Sequence, residues 1–184
     1  LWRLAEEVQD IKDIKHPIVR ETLKKYGFMN TGLDISYIGD LPGGSGMGSS
    51  SSFTAALLLA LKTQLNETIT PYELSNLSYD IEKNLLNETV GIQDQIATSF
   101  GGFNKVEIAK DGSFEVVPVN LSSKRLNNFL DRMILVYTGT TRRATDVAFK
   151  KVNNMQNKFT DYTKLYEMVS IAHSLLLSDD LDGF

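Results

Sequence analysis

Four glycines stand within six positions, at 43, 44, 46 and 48, of the run Pro42-Gly43-Gly44-Ser45-Gly46-Met47-Gly48-Ser49-Ser50-Ser51-Ser52. Glycine lets a backbone turn sharply and come close to a ligand. The run leads directly into Phe53 to Leu65, a stretch of strong helix formers rich in Ala and Leu. A helix start offers unpaired N–H groups and a partial positive charge, both suited to an anion. The serine hydroxyls can donate to phosphate oxygens or ligate a hard cation. The physical inference is a phosphate cradle. It is not the common P-loop, because no lysine occurs between Pro42 and Lys62. It is not a dinucleotide fingerprint, because the glycine spacing differs. A flexible linker is the competing reading, but linkers rarely join a strand directly to an apolar helix.

Phosphoryl transfer with a divalent cation needs an oxygen ligand for the metal and a group near the attacking hydroxyl. Glu82 and Asp94 are placed for these tasks. Glu82 falls one position off the apolar stripe of its helix, at the core edge, where an ordinary solvated residue would also fit. Asp94 follows Gly91 near the start of a short helix, where the dipole suits an acid; a plain helix-start acid is the alternative. Arg142 and Arg143 open a helix, and their planar forks suit a phosphate. A solvent-exposed helix start accounts for them equally well. His16 and His173 lack a paired acid or metal-ligand spacing and read as structural or surface residues.

The elements that must position these residues follow from periodicity and punctuation. Pro17 opens a helix with Val19, Leu23 and Tyr26 at helical spacing, ended by Gly27. Leu33, Ile35 and Tyr37 alternate with polar residues and predict a strand into the glycine loop. Thr70, Pro71 and Glu73 form a helix start with a capping box, and Leu74, Leu77, Ile81 and Leu85 make its core stripe. Phe103 to Ala109 and Phe114 to Val119 predict strands around an Asp111-Gly112 turn. Met133 to Tyr137 reads as a buried strand, followed by helices over roughly 144–158 and 161–178. The mixed order gives an α+β fold class.

Composition narrows the function classes. The 184 residues are 42% hydrophobic and 23% charged, which suits a chain with a real core. No apolar run reaches about 18 residues, so no membrane partner is expected. The net charge of −4 is interspersed, which excludes a nucleic-acid footprint. With no cysteine, disulfides, thiolate metal sites and Cys nucleophiles are excluded. A cytoplasmic location is expected.

The run from Pro42 to Ser51 resembles the second motif of the GHMP kinases, P-x-x-x-G-L-G-S-S-A/S, with Met47 in place of the usual Leu. Gly91-Ile92-Gln93-Asp94-Gln95 is similar to the galactokinase segment that carries the catalytic Asp, with Gln93 where an apolar residue is usual. Phe100-Gly101-Gly102-Phe103-Asn104 is also similar to the family. Within the family, Tyr79 to Glu82, Gln93 to Gln95 and Tyr137 to Asp146 most resemble the D-glycero-D-manno-heptose phosphate kinases. The resemblance implies an ATP- and Mg²⁺-dependent kinase that phosphorylates a sugar or sugar phosphate, foremost the anomeric hydroxyl of a heptose 7-phosphate. It implies that Pro42, Gly43, Gly44, Ser45, Gly46, Met47, Gly48, Ser49, Ser50 and Ser51 wrap the ATP phosphates. Ser50 and Glu82 would hold Mg²⁺, and Asp94 would be catalytic. Gly91, Gln95, Arg142 and Arg143 are placed with the substrate. A galactokinase- or mevalonate kinase-like enzyme, or a truncated non-catalytic binding piece, stays open.

The family fold implied is a ribosomal protein S5 domain 2-like N-terminal domain, expected over residues 1–127, plus the start of a ferredoxin-like C-terminal domain over 128–184. The chain begins without Met, and the family's first and third motifs have no counterpart in it. A fragment inactive by itself is therefore expected. The oligomeric state stays open.

Overall fold

The computed structural model describes residues 5–29, 31–40, 44–137, 139, 148, 152 and 154–184. The chain forms two compact units, Leu1–Gly101 with Gly139–Lys151, and Gly102–Thr138 with Val152–Phe184.

The first unit is helical among its described residues. Helix α1 (Pro17–Lys25) has proline at its first position and ends at Gly27, whose φ of 76° only glycine adopts readily. Helix α2 (Ser49–Gln64) begins where the glycine loop stops. Helix α3 (Pro71–Asp80) carries the predicted capping box: Glu73 N donates to Thr70 Oγ1 at 3.2 Å, and Thr70 N donates to Glu73 Oε2 at 2.9 Å. This closes two orphan donors at once. Helix α4 (Gln93–Phe100) follows the link after α3. α3 and α4 pack on each other and both on α2. Leu58, at the centre of α2, and Ile81 and Ile96, from the two partners, are fully buried. Ile18, Leu23, Phe28, Phe53, Leu57, Leu61 and Leu74 extend this core.

α3 does not end as a plain α-helix. Residues Ile81–Leu85 form a π turn in which Leu86 N donates to Ile81 O at 3.0 Å. A π turn holds more residues per turn than the stripe Leu74-Leu77-Ile81-Leu85 assumes. Leu85 is consequently rotated off the stripe and exposed, while Ile81 and Glu82 both point inward.

The second unit contains a hairpin, strands β1 (Asn104–Ile108) and β2 (Phe114–Pro118), antiparallel with Asn104 opposite Pro118 and Ile108 opposite Phe114. The turn sits where Asp111-Gly112 predicts it, with Gly112 at φ 87° and Ser113 N donating to Asp111 Oδ1 at 2.9 Å. Helix α5 (Ser123–Asp131) is capped by Ser122 Oγ, which accepts from Arg125 N. Helix α6 (Phe159–Ser178) ends under Arg125, whose guanidinium donates to Asp179 Oδ1 at 2.7 Å and to the Leu176 and Leu177 carbonyls. Phe129 stacks on Phe103 at 5.5 Å between ring centroids and meets Phe184 edge-on.

Two expectations are corrected. Residues 33–37 and 133–137 have strand-like patterns but join no ladder among the described residues. The second is also not buried, since Ile134 is 88% exposed. Apolar patterning marks which faces a strand would have; a strand also needs a neighbour to complete its hydrogen bonds, and none is present here among the described residues. The helix expected over roughly 144–158 lies largely outside the described residues, and that over 161–178 is observed as α6.

The core predicts a sharp contrast within α2. Leu58→Ala should destabilise the protein by about 2–5 kcal/mol, the usual cost of emptying a closed apolar site. Leu59→Ala, on the half-exposed side of the same helix, should cost about 1 kcal/mol or less. Urea denaturation of the two variants checks this; equal losses would mean that α2 does not bury the Leu58 face.

Candidate active site

The described part of the loop, from Gly44 onward, reaches α2 through Gly48, the N-cap residue, at φ 66° and ψ 26°. This left-handed backbone costs a residue with a side chain roughly 1–2 kcal/mol. No side chain caps the helix and no acid lies in its first turn. The N–H groups of Ser49, Ser50 and Ser51 therefore have no partner within the helix, because the first intrahelical bond is Ser52 N to Gly48 O, at 2.9 Å. Ser45 Oγ is buried and also lacks a partner. Open donors at a helix start are of the kind that suits an anion. Pro42 and Gly43 lie outside the described residues, as do Arg142 and Arg143.

Asp94 stands beside this helix start. A Cβ placed on Gly48 would lie 3.5 Å from Asp94 Cβ and Cγ and 3.7 Å from its Oδ2. The loop and Asp94, 46 positions apart in sequence (94 − 48), are thus in van der Waals range. Asp94 sits in the first turn of α4, and Thr98 Oγ1 donates to its carbonyl at 2.9 Å. Gly91 is exposed in the link before α4.

Glu82 differs from its expected position at the core edge. It is 1% exposed, because the π turn directs it under α2. Its Oε2 accepts from Ser51 Oγ at 3.2 Å and from Gln95 Nε2 at 2.9 Å. Its Oε1 is buried without a hydrogen-bond partner, and so is Gln95 Oε1. Burial holds the Glu82 carboxyl above the usual carboxylate range, opposed by the bonds from Ser51 and Gln95 and by the nearby Thr54 hydroxyl. Ser50, by contrast, is exposed; its carbonyl accepts from Thr54 Oγ1 at 3.0 Å.

The residues present fit a divalent cation. Two carboxylates beside an anion-binding helix start repel any phosphate placed there unless a cation intervenes. The orphan Glu82 oxygen is an acceptor awaiting a positive partner. Among the described residues no group of three His, Cys, Asp or Glu side chains forms a closed metal cage. Mg²⁺ uses one or two carboxylates together with water and substrate phosphates.

Sequence reasoning missed the bonds that Ser51 and Gln95 make to Glu82. A signal exists for the first. Ser51, Thr54 and Leu58 lie at i, i+3 and i+7 on one helix face, and all three are buried. Polar residues in phase with the core need a polar partner inside it.

The buried carboxyl gives a pH prediction. A carboxyl whose folded pKa is raised contributes stability below its ordinary value of about 4.5, and this is lost as pH rises through the folded value. In cation-free buffer, Glu82→Gln should escape that loss. Urea denaturation should therefore show the variant gaining on the wild type as pH rises from about 4 to 7, with the sign set by the raised carboxyl. A difference independent of pH would mean that Glu82 titrates as it would in solvent.

Known proteins share sequence with the stretch that carries these residues. Residues 13–102 match the GHMP kinases N terminal domain. The chain is similar to the D-glycero-alpha-D-manno-heptose 7-phosphate kinase of Campylobacter jejuni, 32% identical over 165 residues, covering 90% of this chain and 46% of that protein. It is 25% identical over 166 residues to a galactokinase of Clostridium perfringens, covering 84% of this chain and 40% of that protein. Among solved structures it resembles a D-glycero-D-manno-heptose 1-phosphate kinase from Bacteriodes thetaiotaomicron, with a TM-score of 0.59 and 27% identity, covering 89% of this chain and 48% of that one. The chain thus spans about half the length of these relatives. Glu82, Asp94 and the described loop all fall inside residues 13–102, the stretch that matches the GHMP kinases N terminal domain.

Proposed function

We propose that the whole protein is an ATP- and Mg²⁺-dependent phosphotransferase with an alcohol acceptor, a sugar kinase whose leading substrate is D-glycero-D-manno-heptose 7-phosphate, phosphorylated at the anomeric hydroxyl. The observation that carries this reading is the meeting of an uncapped helix start with two carboxylates, Asp94 against Gly48 and Glu82 beneath Ser51. The similarity to a heptose 7-phosphate kinase over 90% of the chain supports the acceptor.

In this reading the loop from Pro42 to Ser51 holds the ATP phosphates through its N–H and hydroxyl donors. Glu82 and Ser50 hold Mg²⁺, which when bound neutralises charge on the phosphate oxygens. Asp94 orients the acceptor hydroxyl and takes its proton on the carboxylate, whose Oδ2 is the oxygen nearer Gly48. The hydroxyl oxygen bonds to the γ-phosphorus as the bond from that phosphorus to the β–γ bridging oxygen breaks, and ADP leaves. Gly91, Gln95, Arg142 and Arg143 belong to the substrate side, the arginines as partners for a phosphate already on the sugar. Residues 1–127 and 128–184 would be the S5 domain 2-like domain and part of the ferredoxin-like domain, in a cytoplasmic enzyme acting on a small-molecule sugar phosphate.

A galactose acceptor is the second reading, favoured by the galactokinase match. Assay of the whole protein for ADP release with heptose 7-phosphate, galactose and mevalonate separates the two. The expected result is the highest kcat/KM with heptose 7-phosphate; no turnover with any of the three would sink the proposal. In the same assay, Asp94→Asn should lower kcat by about 10²–10⁴-fold, the usual loss for a general base, with nucleotide binding retained. A near-normal kcat would leave Asp94 as a helix-start acid only.

A further inference from the structure

The two donors on Glu82 reach the same oxygen. Ser51 Oγ at 3.2 Å and Gln95 Nε2 at 2.9 Å both bond Oε2, while Oε1 has no partner although it is buried. The two donors come from different elements. Ser51 is in the first turn of α2, and Gln95 is in the first turn of α4, next to Asp94. Ser51 and Gln95 are themselves buried, so solvent does not readily replace either bond. A carboxylate only accepts, so Gln95 must turn its amide nitrogen toward Glu82. That leaves Gln95 Oε1 as a second buried acceptor without a donor, on a side chain bonded to the first.

We propose that Ser51 and Gln95 are positioning residues that clamp Glu82 by Oε2, so that Oε1 is the oxygen presented to the divalent cation. This rests on the reading of Glu82 as a metal ligand. An unclamped carboxylate can rotate about its terminal bond and offer either oxygen, or both. Two donors on one oxygen hold the orientation of the group and leave the lone pairs of Oε1 for a metal. Partners of this kind orient a ligand, and their loss typically weakens metal affinity by about 10–100-fold. The clamp also ties the loop-bearing helix α2 to the Asp94-bearing helix α4 through one carboxylate. The bond to Glu82 thus moves Gln95 to the metal side and revises its placement with the substrate.

The test uses the whole protein with ADP and Mn²⁺ as a spectroscopic probe, so that no turnover is needed. Mn²⁺ affinity is read by electron paramagnetic resonance for wild type, Ser51→Ala, Ser51→Thr, Gln95→Leu and Glu82→Gln. Ser51→Ala removes one atom and installs a better helix former, so it keeps the fold if Gln95→Leu does not. The expected result is Mn²⁺ affinity weakened about 10–100-fold in Ser51→Ala and Gln95→Leu, with Ser51→Thr restoring it because the hydroxyl is back. In steady-state assays the half-saturating Mg²⁺ concentration should rise while the sugar KM stays within about twofold. Unchanged Mn²⁺ affinity in Ser51→Ala, when Glu82→Gln abolishes it, would overturn the clamp and spare the metal-ligand reading. Unchanged affinity in Glu82→Gln itself would overturn both. A raised sugar KM in Gln95→Leu with constant metal affinity would return Gln95 to the substrate.

Discussion

The first unit is organised around a carboxylate inside a helical core. Burying an unpaired ionised side chain is costly, and such groups persist where hydrogen bonds or a cation offset that cost. Glu82 receives two hydrogen bonds, from Ser51 and Gln95, and keeps one oxygen unmet. Each donor belongs to a helix that also carries part of the site: α2 the phosphate-type loop, α4 Asp94. Packing of α2, α3 and α4 around Leu58, Ile81 and Ile96 sets the three helices so that these polar groups meet.

The π turn explains how one chain segment serves both core and site. Ile81 and Glu82 are neighbours in sequence and both are buried. Ile81 belongs to the apolar core, and Glu82 is met by polar partners. A regular helix would carry the apolar stripe on to Leu85; the wider turn ends it and brings the backbone to Glu88, whose N–H donates to the Glu82 carbonyl at 3.0 Å. Single π turns are frequent at functional sites, and this one redirects Glu82 where the helix ends.

The loop supplies the complementary charge. Its last glycine takes a left-handed backbone at the helix start, and the first-turn N–H groups stay uncapped. A serine or aspartate at that N-cap would close the donors by itself and give a more stable helix. Their openness is what a protein gives up locally when a ligand is to complete the structure. Asp94 against Gly48 places a negative group beside these donors, so any phosphate there is balanced by a cation on the proposed reading.

Local sequence determined much of this. The capping box at Thr70, the turn at Gly112, the start of α1 at Pro17 and the helix after the glycine loop all depend on contacts within a few residues, and all formed as expected. Glu82 and Asp94 were singled out from residue type and order, and the folded chain puts Asp94 beside Gly48 and Glu82 beside Ser51. What the sequence could not decide was phase and partnership. A periodicity argument assumes a constant turn, so it put Glu82 at the core edge and Leu85 in the core, and the π turn reversed both. It assigned strands at 33–37 and 133–137 from patterning, yet a ladder depends on a second segment whose presence no local pattern encodes. The Ser51–Glu82–Gln95 contact spans separations of 31 and 13 residues. Only the packing of three helices brings those side chains within hydrogen-bond distance, because direct contact between residues so far apart is a property of the assembled core and not of any single element.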